Sequence, residues 1–129
     1  MNHIVSILKA LSDKNRLRMF CALTHYDELC ACQITELIQV TGATTSRHLS
    51  ILVNAGLLKS RKDGRWINYS LDFSCKNMDG ILYWLNPELQ SSGIIGKDLE
   101  TLKQITAIPR EDLCRKQRGE ACCPIKKQE

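Results

Sequence analysis

The sequence predicts a mainly helical domain that carries one small β-hairpin. Residues 33–58 read as two short amphipathic helices separated by a tight turn. A basic, strand-like segment with an Asp-Gly turn follows directly, and further amphipathic helices lie on both sides of this centre. A helix-turn-helix followed by a basic hairpin is the sequence outline of a winged helix. The alternative is a small helical domain whose hairpin is only structural.

Two amphipathic helices are predicted before this centre. Apolar residues recur at helical spacing over residues 4–11, and Val5 widens their stripe. The first helix therefore has more apolar surface than a small domain covers, which favours contact with a partner subunit. Ser12 or Asp13 is expected to cap the second helix, and Cys21 keeps its apolar spacing, so we expect Cys21 in the core.

The helix-turn-helix is predicted from two further apolar runs, over residues 34–38 and 49–53. Residues 40–43 contain a glycine and supply the turn, and Thr44 or Thr45 is expected to cap the second helix. Gly56 is expected to end that helix.

The N-terminal end of this second helix has the side chains of a DNA-reading surface. Short hydroxyls and free backbone N–H groups suit phosphates, and an arginine reaches a guanine edge in the major groove. Residues 47–65 hold five Lys or Arg and one Asp, which accounts for the whole formal net charge of +4. A solvated hairpin that is only cationic is the alternative for the wing. The predicted contacts to double-stranded DNA are Thr44, Thr45, Ser46, Arg47, His48, Ser50, Lys59, Arg61, Lys62 and Arg65.

The hairpin over residues 57–71 is predicted from its turn and its alternation. Asp63-Gly64 is a favoured two-residue turn. Ile67, Tyr69 and Leu71 alternate with polar residues, so we expect their side chains on the buried face.

Two helices are predicted after the hairpin, over residues 73–86, ended by Pro87, and over residues 93–108. The second of these is expected to build a dimer interface with the first helix of the chain. The remaining residues mix charges with glycine and proline and are expected to bury little. The predicted organisation is a DNA-binding and dimerisation domain at 1–108 and a flexible, cysteine-containing tail at 109–129.

Length and composition agree with a single small domain. The chain has 129 residues, of which 43% are hydrophobic and 5% aromatic, so one aliphatic core is expected. No window has the apolar length of a membrane span, and the first residues lack a basic leader. We therefore expect a cytoplasmic protein without a membrane partner.

Seven cysteines in a cytoplasmic chain indicate thiolate chemistry with metals, metalloids or oxidants. There is no C-x-x-C spacing and the three histidines are scattered, which argues against structural zinc. Cys30 and Cys32 are expected at a helix N-terminus, where the helix dipole lowers a thiol pKa. Cys75 is expected to be a packing residue. Thiolates select soft ions, so the chemistry alone leaves As(III), Sb(III), Cd(II), Pb(II) and Cu(I) open.

The residues 10–18 (ALSDKNRLR), 28–32 (ELCAC), 45–52 (TSRHLSIL) and 55–58 (AGLL) resemble the ArsR/SmtB family of metal- and metalloid-sensing bacterial repressors. The likeness covers about the first 70 residues. It implies a winged-helix homodimer that occupies operator DNA of two-fold symmetry. Such a dimer blocks transcription until a thiophilic inducer binds.

The resemblance also implies a ligand set. In the arsenic-sensing members the Glu-Leu-Cys-x-Cys stretch, here Cys30 and Cys32, supplies thiolates to As(III) or Sb(III), and a third cysteine follows where this chain has Thr35. The third sulfur is then expected from Cys114, or from Cys122 and Cys123, unless that vicinal pair forms its own site. The preference for arsenic rests on the resemblance alone. Residues 93–108 contain no histidine, unlike the last helix of the family's zinc sensors.

The expected function is therefore a repressor, not an enzyme, that releases its operator when thiolates of Cys30 and Cys32 capture an inducer and distort the first turn of their helix. One alternative keeps the DNA-binding module but uses the cysteines as a redox switch. A cysteine-rich metal carrier or thiol enzyme is the other, although the chain shows neither a nucleophile-base pairing nor a resolving C-x-x-C.

Overall fold

The computed structural model describes residues 1–117 and confirms a mainly helical winged helix-turn-helix. Within these residues seven helices and three strands form. In chain order they are α1 (Asn2–Leu11), α2 (Lys14–His25), β1 (Leu29–Cys30), α3 (Ala31–Ile38), α4 (Gly42–Asn54), β2 (Leu58–Asp63), β3 (Trp66–Leu71), α5 (Met78–Gln90), α6 (Gly93–Thr106) and α7 (Arg110–Lys116).

The first two helices form where the sequence predicts them. Asp13 is the cap of α2, because its carboxylate accepts the backbone N–H of Arg16 at 3.1 Å. Cys21 is 1% exposed and packs beside Leu89 and Ile95, which confirms it as a core residue. Burial raises the pKa of this thiol, so Cys21 stays neutral.

The turn between α3 and α4 differs in detail from the prediction. Gln39, which follows α3, takes the left-handed conformation with φ 65°. Thr41 caps α4 by accepting the backbone N–H of Thr44 at 3.1 Å, so the expected caps Thr44 and Thr45 are wrong and the helix begins earlier. Gly56, with φ 85°, follows the end of α4 as predicted.

The hairpin belongs to an antiparallel sheet with strand order β1-β3-β2. Asp63 pairs with Trp66, so the two-residue turn is Gly64 and Arg65, one position later than predicted. The short strand β1 was not predicted. Along β3, Leu71 is buried as expected, whereas Ile67 and Tyr69 are only half-buried. Asn68 is buried instead, since it lies opposite the buried Cys30 and its Oδ1 is 3.5 Å from Nη1 of Arg110.

The C-terminal part of the chain folds back over α2 and α3. Helix α5 begins later than predicted and continues through Pro87 into its last turn. Helix α6 packs on α2 and α3, and α7 packs on α3. Leu113 and Cys114 lie in the main core, so the expectation that the chain after residue 108 buries little is wrong for them.

The expected part of α6 in a dimer interface stays a prediction, although its apolar residues Ile95, Leu102 and Ile105 are already buried within the chain. An apolar groove lies between α1 and α5, and Ile4, Leu8 and Trp84 on its walls are each more than half exposed. None of the helices within residues 1–117 has the length and apolar character needed to cross a membrane. The cytoplasmic location stays a prediction.

Candidate DNA interface and thiol site

The N-terminal half of α4 presents part of the predicted reading surface to solvent. Arg47 and Ser50 are exposed, and Thr44 and Ser46 are half-buried. Thr45, however, is 0% exposed, so its predicted outward position is wrong. Its hydroxyl accepts from Thr35 at 2.9 Å and donates to the Thr41 carbonyl at 3.1 Å, because it faces α3 rather than solvent.

His48 is also held by the fold. Its Nδ1 lies 3.1 Å from Nη1 of Arg16, and Nε of the same arginine donates to the Ala10 carbonyl at 2.8 Å. Burial lowers the pKa of His48 and the neighbouring guanidinium acts in the same direction. A neutral imidazole that accepts from Arg16 therefore fixes α4 against the start of α2.

The wing, defined as β2, β3 and their turn, carries free and paired basic side chains. Lys59 and Lys62 are exposed. Arg61 donates to both carboxylate oxygens of Glu28 at 2.7 and 2.8 Å, which raises the pKa of Arg61 and lowers that of Glu28. Arg65 lies over the Trp66 ring at 5.5 Å. Because Glu28 neutralises Arg61, the wing offers less positive charge to DNA than a count of its basic residues suggests.

Cys30 joins the wing to the helix-turn-helix. It is the last residue of β1, where it pairs with Asn68 of β3, and it is also the N-cap of α3. Its backbone N–H donates to Gln33 Oε1 at 2.9 Å, and its sulfur accepts the backbone N–H of Gln33. Burial nevertheless raises the pKa of Cys30, so the expected lowering by the helix terminus is wrong because desolvation outweighs these hydrogen bonds.

The second cysteine of the pair meets the C-terminal helix. Cys32 and Cys114, 82 positions apart, form a disulfide with their Cα atoms 6.2 Å apart. Gln117 donates to the Cys32 carbonyl at 3.2 Å and to Glu36 at 3.0 Å. Of the sulfurs expected to join Cys32, Cys114 thus lies beside it, whereas Cys122 and Cys123 lie outside the described residues. Cys75 is half-buried beside the core, as expected of a packing residue.

No cluster of three or more His, Cys, Asp or Glu side chains suited to a metal ion occurs in the part of the chain that the structure describes. The local arrangement supplies one joined sulfur pair and a third buried sulfur, Cys30, one residue before α3. Soft thiophilic ions suit such donors, and a complete ligand set requires Cys30 to turn towards the pair or a sulfur from beyond residue 117.

Two anchors of the C-terminal helices were not predicted from the sequence. Arg18 donates twice to Asp98 at 2.9 Å and thereby fixes α6 to α2. Arg110 at the start of α7 contacts the wing beside a cleft of about 430 Å³. Pro109 followed by Glu111 and Asp112 is a helix-start signal that would have predicted α7.

Similarity to known proteins decides the family. Residues 13–60 match the family described as bacterial regulatory protein, arsR family. The arsenic resistance transcriptional regulator ArsR1 of Pseudomonas putida is 33% identical over 91 residues, which cover 64% of this chain and 71% of that protein. This chain belongs to the arsR family. The resemblance found in the sequence is thereby confirmed.

Other relatives differ in the metal that their names carry. The cadmium resistance transcriptional regulatory protein CadC of Listeria innocua is 46% identical over 66 residues. That match covers 51% of this ArsR-family chain and 56% of CadC, so the chain spans little more than half the length of such relatives. Because the names include both cadmium and arsenic, they do not select the inducer of this chain.

A solved structure agrees with the fold. HlyU from Vibrio cholerae matches with a TM-score of 0.55 and 28% identity, over 65% of this chain and 91% of HlyU. About a third of this ArsR-family chain therefore has no counterpart in HlyU.

Proposed function

We propose that this ArsR-family chain is a transcriptional repressor that reads operator DNA with α4 and grips its backbone with the wing. Arg47 and Ser50 are exposed on α4, where a guanidinium suits a guanine edge and a hydroxyl suits a phosphate. Lys59 and Lys62 are exposed on β2 and suit phosphates. Thr44, Ser46 and Arg65 are half-buried and are proposed as further DNA contacts, whereas His48 orients α4 through Arg16.

The repressor is proposed to act as a homodimer on DNA of two-fold symmetry. The apolar groove between α1 and α5 supports this, because it leaves side chains such as Leu8 and Trp84 uncovered. Two copies related by a two-fold axis cover the same surface on each other and present two α4 helices to half-sites one helical turn apart.

The signal is proposed to be a thiophilic inducer held by Cys30, Cys32 and Cys114. The observation that carries this is the position of Cys30, whose strand pairs with the wing and whose helix is the first of the helix-turn-helix. Arsenite, As(OH)₃, exchanges its hydroxyls for reduced thiols, with one water released for each As–S bond formed. As(III) or Sb(III) is the proposed inducer, and Cd(II), Pb(II) and Cu(I) are also soft enough for this donor set. Cys122 and Cys123 are proposed as further donors.

A redox signal is the second proposal, favoured by the Cys32–Cys114 disulfide. Peroxide oxidises the two thiols to the disulfide and is itself reduced to two waters. Such a switch requires no metal. Absence of enzymatic activity and a cytoplasmic location stay predictions in either case.

The coupling between signal and DNA is reciprocal. If the inducer weakens operator binding by a given factor, the operator weakens inducer binding by the same factor, typically ~1–3 kcal/mol or roughly 5–150-fold. Equal inducer affinity with and without operator would therefore contradict the proposal.

Fluorescence anisotropy on a labelled duplex of the chain's own promoter tests these proposals. The reduced protein is titrated with arsenite, antimonite, cadmium, zinc or peroxide, and the variants are Cys30→Ser, Cys32→Ser and Cys114→Ser, with Cys75→Ser as the matched control. Release by arsenite or cadmium that needs Cys30 and Cys32 supports the inducer. Release by peroxide that needs Cys32 and Cys114 but not Cys30 supports the redox switch. No release by any of them, with DNA bound, rejects thiol sensing and leaves DNA binding standing.

A further inference from the structure

Helix α7 contacts the thiol pair at one end and the wing at the other. Its first residue, Arg110, lies with Cζ 4.4 Å from the centroid of the Trp66 ring. Arg110 Nη1 is 3.5 Å from Asn68 Oδ1 and 3.6 Å from Asp63 Oδ2. One guanidinium thus meets an aromatic face, an amide oxygen and a carboxylate, all three on the wing.

The wing residues that Arg110 contacts lie at the turn of the hairpin and further along β3. Asp63 and Trp66 are the last pair before the turn, so they set where the tip of the wing points. Asn68 is 5% exposed and pairs with Cys30 on one side and Arg61 on the other. A contact at these residues fixes both the tip and the middle of the wing.

The opposite end of α7 depends on the thiols. Cys114 lies four residues after Arg110, one helical turn along, and is joined to Cys32. Lys116 and Gln117 add contacts to Glu36 of α3 at 2.7 and 3.0 Å. The short helix is therefore positioned by the Cys32–Cys114 bond, by Leu113 in the core, and by polar contacts that are partly exposed to solvent and hence individually weak.

We propose that Arg110 is the positioning residue that transmits the state of Cys32 and Cys114 to the wing. When the two sulfurs are joined, α7 is held on α3 and Arg110 holds the tip of the wing. When they are free, α7 loses its covalent attachment to α3, Arg110 releases Trp66 and Asp63, and the wing moves to its DNA-gripping position. This inference rests on the proposed function and names the route by which the thiol state reaches the DNA-binding surface.

This route predicts that a mutation can separate the oxidation of the two thiols from the response of the wing. Removing Arg110 leaves the Cys32–Cys114 bond in place, because the hydrogen bond, the ion pair and the ring contact of Arg110 all go to the wing. The charge of Arg110 also lowers the pKa of Cys30, and Arg110→Lys keeps that charge. A variant without Arg110 loses the contact to the wing. It is therefore expected to form the disulfide normally and to respond to it weakly.

The test measures operator affinity by anisotropy, with the thiols reduced and after peroxide, for native protein, Arg110→Met, Arg110→Lys and Lys103→Met. Arg110→Met keeps an apolar stem of similar length, and Lys103→Met removes an equal charge from an exposed position of α6. Oxidation is expected to weaken the operator affinity of the native protein and of Lys103→Met by a factor of roughly 5–150. For Arg110→Met this factor is expected to be smaller by about fivefold or more. Arg110→Lys is expected to respond in between, because an ammonium keeps the charge without the planar stack. Mass spectrometry of the disulfide confirms equal oxidation.

A second readout needs no DNA. With Trp84→Phe, Trp66 is the sole tryptophan, and its emission is expected to shift on reduction in the native background but not with Arg110→Met. If Arg110→Met loses affinity on oxidation as much as native protein does, and Trp66 emission responds alike in both, the Arg110 route is wrong while the thiol switch stands. If native protein itself does not respond to oxidation in affinity while its Trp66 emission shifts, the redox proposal fails and the Arg110 contact stands.

Discussion

Thr35 donates its hydroxyl to the Thr45 hydroxyl across 2.9 Å, and both side chains are buried. This bond joins α3, which begins beside Cys30, to α4, which carries Arg47. Thr35 occupies the position at which the resemblance implied a third cysteine. In this chain that position links the two helices of the helix-turn-helix instead of adding a sulfur.

The Thr35–Thr45 bond is expected to contribute to stability as a coupled pair. Thr45→Val leaves the Thr35 hydroxyl without its acceptor and is expected to cost ~1–3 kcal/mol in the free energy of unfolding, measured by urea denaturation. Thr35→Val removes a donor and is expected to cost less, about 0.5–1.5 kcal/mol. The double variant should cost less than the sum of both. The exposed Thr101→Val is the control, and strictly additive costs would contradict the coupling.

The Arg18–Asp98 pair is expected to hold α6 on α2. Asp98→Ala leaves a mostly buried guanidinium uncompensated, and we expect a loss of about 2–4 kcal/mol in the free energy of unfolding. Glu100→Ala, at an exposed position of the same helix, should change it by less than about 0.5 kcal/mol. Equal effects of the two variants would show that the ion pair is not the anchor of α6.

The α1–α5 groove is expected to be the dimer interface. Leu8→Glu places a charge on the exposed apolar surface and is expected to give a folded monomer in sedimentation velocity, with an unchanged circular dichroism spectrum. Lys9→Glu, at the neighbouring exposed position, should remain dimeric. A Leu8→Glu dimer of native affinity would place the interface elsewhere.

Local periodicity was sufficient to predict most of the fold, because α1 to α4 and the hairpin follow from spacing and turn residues. What it missed depends on contacts between distant residues. Strand β1 exists because Leu29 and Cys30 find an edge of β3, and Thr45 turns inward because Thr35 lies opposite. Cys114 lies beside Cys32, which is one of the arrangements that the sequence left open. The raised pKa of Cys30 was not predicted, since the desolvation of this thiol is a property of the assembled core.

The reactivity of Cys30 is expected to increase over an unusually high pH range. Only the thiolate is nucleophilic, and burial raises the pKa of Cys30, so less thiolate is present near pH 7 than in an ordinary thiol. In reduced protein, its alkylation by iodoacetamide, followed by mass spectrometry, should reach half of its maximum rate at a higher pH than that of an ordinary thiol, whose pKa is about 8.5. If the alkylation rate instead levels off near pH 7, the pKa of Cys30 is lowered, as expected at a helix terminus. A free glutathione control reports the intrinsic pH dependence of the reagent.

The wing is expected to grip DNA through its lysines more than through Arg61. Lys62 is exposed, whereas the Arg61 guanidinium is already paired with Glu28, so a phosphate must displace a carboxylate to reach it. Lys62→Ala is expected to reduce the slope of log affinity against log salt by about 1, and Arg61→Ala by clearly less. Glu28→Gln releases Arg61 and should steepen the slope, while Glu88→Gln, an exposed carboxylate on α5, serves as the charge-matched control. Anisotropy titrations of the operator duplex between about 50 and 200 mM salt measure these slopes. A larger loss for Arg61→Ala than for Lys62→Ala would mean that Arg61 exchanges Glu28 for a phosphate on binding.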